Sequence, residues 1–329
     1  MNLIRFWLKN SRMTAMPQSL LPAILAVCMA SKMEGFSLWL GVLAVIGVVV
    51  GHLGINLFDD YFDYKVKKSD YRIQMEHKGM RARISKCVYL TSGEATLQQL
   101  LIACCVFSVV ALIIGVVIFM FRGSFILILS LITGLLGLSY SGPPLRLSYR
   151  GLGEILIGIM FGPMLMTGVF YSACGVFSQS VLFVSIPVGL LVTNIVYVHA
   201  IMDYEPDKAV GKMTFAGLLK SKTLMLVCLA LILFLSFGLI VIGVISQYLS
   251  PYYLLSLIML PMAINLFYLM VEFVRNPERT FKPRFWMGPM NNWKKIQTAG
   301  IDWFMIRWLP ARNLLAFFCI VLAIVCLIS

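Results

Sequence analysis

The sequence predicts an all-α polytopic membrane protein with nine transmembrane helices. Three observations predict it. Of 329 residues, 60% are apolar and 12% charged, and the mean hydropathy is +0.91; soluble domains run about 45–50% apolar and about 25% charged. The apolar residues gather into runs of roughly 20, the length that crosses a hydrocarbon core of about 30 Å, without the alternation that a closed β-barrel needs. The charges, in turn, divide unequally between alternate loops. A soluble globule of this length cannot hide so much apolar surface, which also excludes a disordered chain and a fibrous repeat.

In chain order the spans are expected at 16–33, 37–58, 97–120, 124–141, 153–174, 180–202, 223–246, 252–274 and 312–328, in one integral-membrane domain covering 1–329. Arg5, Lys9 and Arg12 precede the first run, and no small-residue cleavage site follows, so that run reads as a retained helix and not a signal peptide. With the N-terminus in the cytoplasm and the C-terminus opposite, all but two of the 27 Lys and Arg fall on the cytoplasmic side, the exceptions being Lys32 and Arg122. Such asymmetry sets the orientation and checks the span count, since one missed helix would scramble it. A net charge of +13 would suggest nucleic acid in a soluble chain; flanking membrane spans, it points to the lipid bilayer of the cell membrane and to no nucleic acid. The cytoplasmic loops fall at about 59–96, 203–222 and 275–311, the last long and rich in Trp, Pro and Lys. Seven of the eight cysteines lie in apolar runs or at their ends with no CxxC pair, and read as small apolar filler.

Most acids cluster at two helix ends. The second span closes on Asn56-Leu-Phe-Asp59-Asp60-Tyr-Phe-Asp63 and the sixth on His199-Ala-Ile-Met-Asp203-Tyr-Glu205-Pro-Asp207. A continuing helix puts Asn56, Asp59, Asp60 and Asp63 on one face, and His199, Asp203 and Asp207 recur every four residues. The two spans run in the same direction, so both clusters reach the cytoplasmic mouth. Stacked carboxylates near a membrane need compensation, and Mg²⁺ bridges carboxylates to substrate phosphates. With Lys and Arg in the flanking loops, the pattern fits a diphosphate clamped by Mg²⁺. A solvated acidic loop is the bland alternative, weakened by the repetition at equivalent positions. A cation-coupled transporter is the other, weakened by the loop lysines, from which a cation site gains nothing.

These residues resemble the signature of the UbiA-type intramembrane prenyltransferase superfamily, an acidic Asn-Asp-x-x-Asp motif and a later Asp-x-x-x-Asp. The first maps to Asp59-Asp60-Tyr-Phe-Asp63 with Asp70 downstream, the second to Asp203-Tyr-Glu-Pro-Asp207 followed by Lys208, Gly211, Lys212 and Thr214. Thr91-Ser-Gly93-Glu and Tyr140-Ser-Gly-Pro-Pro-Leu-Arg146-Leu-Ser-Tyr149-Arg150 look like the branch that prenylates 1,4-dihydroxy-2-naphthoate. Asp stands at 59 and His at 199 where the family usually has Asn, and Asp63 to Asp70 is one residue longer than its usual spacing. The resemblance implies a nine-helix fold around a central cavity open to the cytoplasmic side. It also implies Mg²⁺-dependent transfer of a polyprenyl group from an allylic diphosphate to an aromatic acceptor, with decarboxylation, in menaquinone synthesis. Other acceptors in the superfamily are 4-hydroxybenzoate, haem, a chlorophyllide and a glycerol phosphate lipid. On this reading Asp63, Asp203 and Asp207 lead metal binding, with Asp59, Asp60 and Asp70 in support, and Lys212 joins the catalytic set. Asn56, Lys67, Lys68, Arg72, His199 and Lys208 are expected at the diphosphate, and Tyr140, Arg146, Tyr149 and Arg150 at the acceptor. Phe58, Tyr61, Phe62, Tyr64 and Tyr197 are expected as walls that face a carbocation.

Overall fold

The computed structural model describes residues 3–65, 87–209 and 211–328, and among them it is built from helices without strands. The N-terminal α1 (Leu3–Asn10) is short and amphipathic: Trp7 is buried while Leu3 and Ile4 face outward. After a left-handed residue at Arg12 (φ 62°), the chain enters α2 (Pro17–Ala30). The further elements are α3 (Leu38–Lys65), α4 (Val88–Thr91), α5 (Leu97–Arg122), α6 (Ser124–Ser141), α7 (Gly153–Cys174), α8 (Gln179–Met202), α9 (Tyr204–Ala209), α10 (Phe215–Leu219), α11 (Lys222–Ile245), α12 (Pro251–Arg275), α13 (Trp293–Thr298) and α14 (Asp302–Ile328).

Eight of these, α3, α5, α6, α7, α8, α11, α12 and α14, are long and apolar enough to cross a membrane. The span expected at 16–33 corresponds to α2, which has 14 residues, or about 21 Å at 1.5 Å per residue. Two boundaries differ from expectation. Helix α3 continues to Lys65, so the first acidic cluster is helical as its spacing requires. Helix α14 starts at Asp302, ten residues before the predicted span, and shortens the 275–311 loop. Charge made 302–312 read as loop, but Arg307 is fully buried, donating through Nε to Leu269 O (3.1 Å) and through Nη1 to Trp303 O, with Phe273 stacked 4.9 Å away. A charge whose partners lie inside the protein does not break a helix.

Helix α7 packs on α2, α3 and α8, and α8 packs in turn on α11 and α14, which returns to α2. The α7–α8 crossing is set by glycine. A Cβ on Gly162 would stand 2.5 Å from both Gly189 Cα and Ser185 O, and one on Gly189 would stand 2.5 Å from Gly158 O. Small residues let two backbones approach this closely where no hydrophobic effect drives association. One turn of α7, Met160–Met164, widens to π geometry at Pro163, where the missing N–H interrupts the ladder.

The two ends of the bundle are closed differently. At one end Arg122 donates to Ser172 O (2.9 Å), Ala173 O (2.8 Å) and Gly35 O (2.9 Å), and Ser37 N donates to Ala173 O (2.8 Å). A single guanidinium thus caps carbonyls that the end of α7 leaves without intrahelical partners and ties α5, α7 and the turn before α3 together. The opposite end is made of loops and short helices and carries both acidic clusters.

Candidate active site at the loop end of the bundle

The first cluster sits on the last two turns of α3, above an aromatic nest in which Phe6, Trp7 and Tyr89 meet edge to face. Asp59 and Asp60 are buried. Arg12 bridges them, 3.0 Å from Asp59 Oδ2 and hydrogen-bonded to Asp60, and Tyr89 Oη donates to the other oxygen of Asp60 (3.1 Å). Ser141 Oγ donates to Asp59, and Tyr149 Oη donates to Asp63. Asn56 Nδ2 donates to Ser11 O (3.1 Å), pinning the N-terminal segment to the same face. Burial acts against the Arg12 charge, but the attraction of Asp60 and Asp59 outweighs it and the pKa is raised. Burial, then Asp60, pushes the Tyr89 phenol up; burial, then Asp63, does the same to Tyr149, so both stay protonated donors.

In the second cluster the helix is interrupted at Asp203 and resumes at Tyr204. Asp203 ends α8, Asp203 N bonds His199 O (2.9 Å), and Asp207 N bonds Asp203 O (2.8 Å). His199 Nε2 lies 3.0 Å from Asp203 Oδ2, and Lys212 Nζ lies 3.8 Å from Asp207 Oδ2. Asp203 and Asp207 are buried, and Lys208 is exposed.

The turn 142–152 joins the two clusters. Ser141, just before it, and Tyr149, within it, bond the first. Its far side meets the segment after the second, where Gly151 N donates to Met213 O (2.8 Å) and Arg150 pairs with Met213 in a short parallel bridge. Buried Glu154, at the start of α7, accepts from Phe215 N (3.0 Å) and lies within electrostatic reach of Lys212 and Asp207. Tyr140 lies within reach of Asp59, Asp63 and Glu154. Both acidic helix tips therefore belong to one end of the molecule, held by a single turn.

One sequence-predicted wall residue takes another place. Tyr197 is fully buried, its hydroxyl on Met225 O (3.1 Å), and is core and not wall. Arg146 and Arg150 are exposed on the turn; Arg150 reaches Pro144 O at 3.4 Å. Lys67, Lys68, Asp70 and Arg72 lie outside the described residues. Among the described residues no three His, Cys, Asp or Glu form a ready-made metal site. The sequence reading missed Arg12, Tyr89, Ser141 and Glu154 as site residues; Arg12 counted there only as a flanking charge. A cavity of about 170 Å³ lies on the other flank of the second cluster, between Met202 and Glu205 on one side and Phe273, Glu278 and Trp303 on the other.

Residues 19–291 match the UbiA prenyltransferase family, and the chain belongs to that family. It is 30% identical over 173 residues to the 2-carboxy-1,4-naphthoquinone phytyltransferase of Synechocystis sp., covering 51% of this chain and 55% of that protein. It is 26% identical over 239 residues to the 1,4-dihydroxy-2-naphthoate octaprenyltransferase of Bacillus subtilis, covering 72% and 74%. The match thus spans about half the length of the first relative. Among solved structures, the apo UbiA homologue from Aeropyrum pernix aligns with a TM-score of 0.62 at 16% identity, over 95% of this chain and 98% of that one. The Archaeoglobus fulgidus UbiA homologue bound to GPP and Mg²⁺ aligns with a TM-score of 0.60 at 15% identity, over 98% and 99%. At these identities the structures establish the fold.

Proposed function

We propose that this member of the UbiA prenyltransferase family transfers a polyprenyl group from an allylic diphosphate to 1,4-dihydroxy-2-naphthoate, with loss of the ring carboxylate as CO₂. The observation that carries the proposal is the turn 142–152, bonded to the first acidic cluster and to the segment that follows the second, at one end of an apolar bundle. The choice of acceptor draws support from the names of the Synechocystis and Bacillus relatives.

An all-carboxylate donor set fits a hard divalent cation. Asp63, Asp203 and Asp207 would hold Mg²⁺, with Asp59, Asp60 and Asp70 in support. Mg²⁺ is commonly bound by one or two carboxylates together with substrate phosphates, which agrees with two incomplete clusters, and no finished cage, among the described residues. When bound, it supplies stabilisation of charge on the departing diphosphate oxygens.

The chain's own residues do the rest. Tyr149, Ser141 and His199 orient Asp63, Asp59 and Asp203 by direct contact, and Arg12 offsets the paired charge of Asp59 and Asp60. Lys212, beside Asp207, and exposed Lys208 offer ammonium groups to the diphosphate. The carbon–oxygen bond of the allylic diphosphate breaks, and both electrons leave with the diphosphate. Phe58 and Phe62, stacked with centroids 6.2 Å apart on α3, present ring faces to the allylic cation and exclude water. The new carbon–carbon bond forms at the ring carbon bearing the carboxylate, and departure of CO₂ returns its electron pair to the ring. By the charge asymmetry of the loops, this end of the bundle faces the cytoplasm of a cell membrane.

The test uses membranes containing the full chain, Mg²⁺, a labelled polyprenyl diphosphate and a panel of acceptors. Prenylated, decarboxylated product from 1,4-dihydroxy-2-naphthoate is expected. Folded protein that prenylates none of the acceptors overturns the proposal, and product from 4-hydroxybenzoate or a glycerol phosphate lipid alone reassigns the acceptor.

A further inference from the structure

The segment between α12 and α14 does not lie across the end of the bundle. It folds back along the two helices, and two independent contacts measure how far. Trp286 Nε1 donates to Asn265 Oδ1 (3.4 Å), and Asn265 lies ten residues before the end of α12 at Arg275, a descent of about 15 Å at 1.5 Å per residue. On the other side Asn313 Nδ2 donates to Met287 O (2.9 Å) and Pro289 O (3.1 Å), eleven residues past the start of α14 at Asp302, or about 16 Å.

The level of the membrane comes from neighbouring contacts. Phe304 meets the ring of His199, three residues before α8 ends, and Cys326 meets the Tyr253 hydroxyl at 3.1 Å near the start of α12. The 22 residues between Phe304 and Cys326 span about 33 Å, close to one hydrocarbon core. The tip at 285–289 therefore lies well inside that thickness, level with Asn313.

Irregular backbone at such depth is tolerated only where its polar groups are satisfied by protein, and at this tip the carbonyls of Met287 and Pro289 and the amides of Met287 and Gly288 have protein partners. Asn313 takes two carbonyls, Met287 N donates to Arg284 O (3.0 Å), and Gly288 N donates to Phe285 O (3.1 Å). Met287 is buried beside Leu269 and Ile306. Gly288 (φ 77°) allows the close approach, since a Cβ there would stand 2.8 Å from Phe317. The other side of the tip is bare: Phe285 is 91% exposed and Trp286 47%. Exposed cations flank it at Lys282, Arg284, Lys294 and Lys295, with Arg284 over the Trp286 ring (5.8 Å), while Arg279, over Phe281 (5.3 Å), is ion-paired with Glu272. Long basic side chains reach from an apolar level to the headgroups, and anionic lipid attracts each such residue.

We propose that residues 279–295 form a re-entrant anchor in the leaflet on the side of the acidic clusters. Phe285 and Trp286 lie among acyl chains, and Lys282 and Arg284 hold the phosphate of an anionic phospholipid. Neither element is needed for prenyl transfer as proposed above, and the test does not depend on that activity.

Two measurements on the full chain in nanodiscs test it. In a background with the incompletely buried Cys28, Cys105 and Cys228 changed to serine, Phe285→Cys is labelled with a nitroxide. The expected result is greater collision with oxygen than with a water-soluble nickel chelate, at a depth below the lipid phosphates; preferential collision with nickel overturns the anchor. Separately, native mass spectrometry follows phosphatidylglycerol retained from nanodiscs of phosphatidylglycerol and phosphatidylcholine. Lys282→Gln with Arg284→Gln should weaken retention about 30-fold, from the loss of two headgroup charges. Unchanged retention overturns the phosphate contact.

Discussion

Replacing Tyr149 with phenylalanine isolates one interaction at the site. The ring and its packing remain, and only the hydroxyl that donates to Asp63 is lost. A hydrogen bond to a charged group contributes about 1.5–3 kcal/mol. Loss of a group that orients a metal-bound carboxylate costs roughly 10–100-fold in metal affinity or activity. Divided by about 1.4 kcal/mol per decade, the first range gives roughly one to two decades, so the two estimates agree. Tyr149→Phe should therefore raise the Mg²⁺ concentration for half-maximal prenyl transfer, or lower kcat/KM at saturating Mg²⁺, by about 10–100-fold. The variant should still insert and fold, its thermal unfolding midpoint lowered by no more than the loss of that one hydrogen bond. The assay is product formation in detergent or nanodiscs across a Mg²⁺ titration, beside the same titration of wild type. If both parameters stay within about twofold of wild type, Tyr149 does not position Asp63 and the orienting role of the 142–152 turn fails.

Asp63→Ala and Asp203→Ala should each lower turnover by about 10²–10³ or more, as expected when charge stabilisation at a reacting centre is lost, while the protein still inserts and purifies; near-normal turnover in either would remove that residue from the site. His199→Asn places the usual family residue beside Asp203 and should keep activity within about tenfold, measured as kcat/KM for both substrates. Gly162→Val inserts a side chain where the nearest backbone atoms of α8 are already 2.5 Å from a single Cβ; overpacking of this kind costs about 1–3 kcal/mol, read as a lowered midpoint of thermal unfolding in detergent. Tyr149 is held protonated by burial and by Asp63, so a spectrophotometric alkaline titration of wild type and Tyr149→Phe should show equal numbers of tyrosines ionising near the ordinary value of about 10; one fewer in the variant would show that Tyr149 titrates normally.

Hydropathy and spacing carried much of this protein, and their failures have physical causes. Apolar length located the long spans because lipid imposes a thickness on any helix that crosses it. Four-residue spacing located both acidic clusters because carboxylates on one helical face stay on one face. What the sequence left hidden were contacts between residues far apart along the chain: Arg12 with Asp60, 48 residues on, Ser141 with Asp59, 82 residues back, and Tyr149 with Asp63, 86 residues back. Nothing local marks them. The start of α14 was misplaced for a related reason, since an internally satisfied Arg307 looks, in one dimension, like a solvated one. The fold-back of the segment between α12 and α14 was invisible because the Met287 and Pro289 carbonyls at its tip depend on Asn313, a residue of the next helix.

The guanidinium of Arg122 draws three chain segments to a common knot at the end remote from the carboxylates. Fastened there, the helices can splay only at their other tips, as the blades of shears part away from the rivet. Any widening needed to admit a long isoprenoid should therefore grow with distance from Arg122, and cutting that knot, as in Arg122→Ala, should loosen hydrogen exchange first at the Ser37 amide, which shares the Ala173 carbonyl, and leave the carboxylate tips the last to register it.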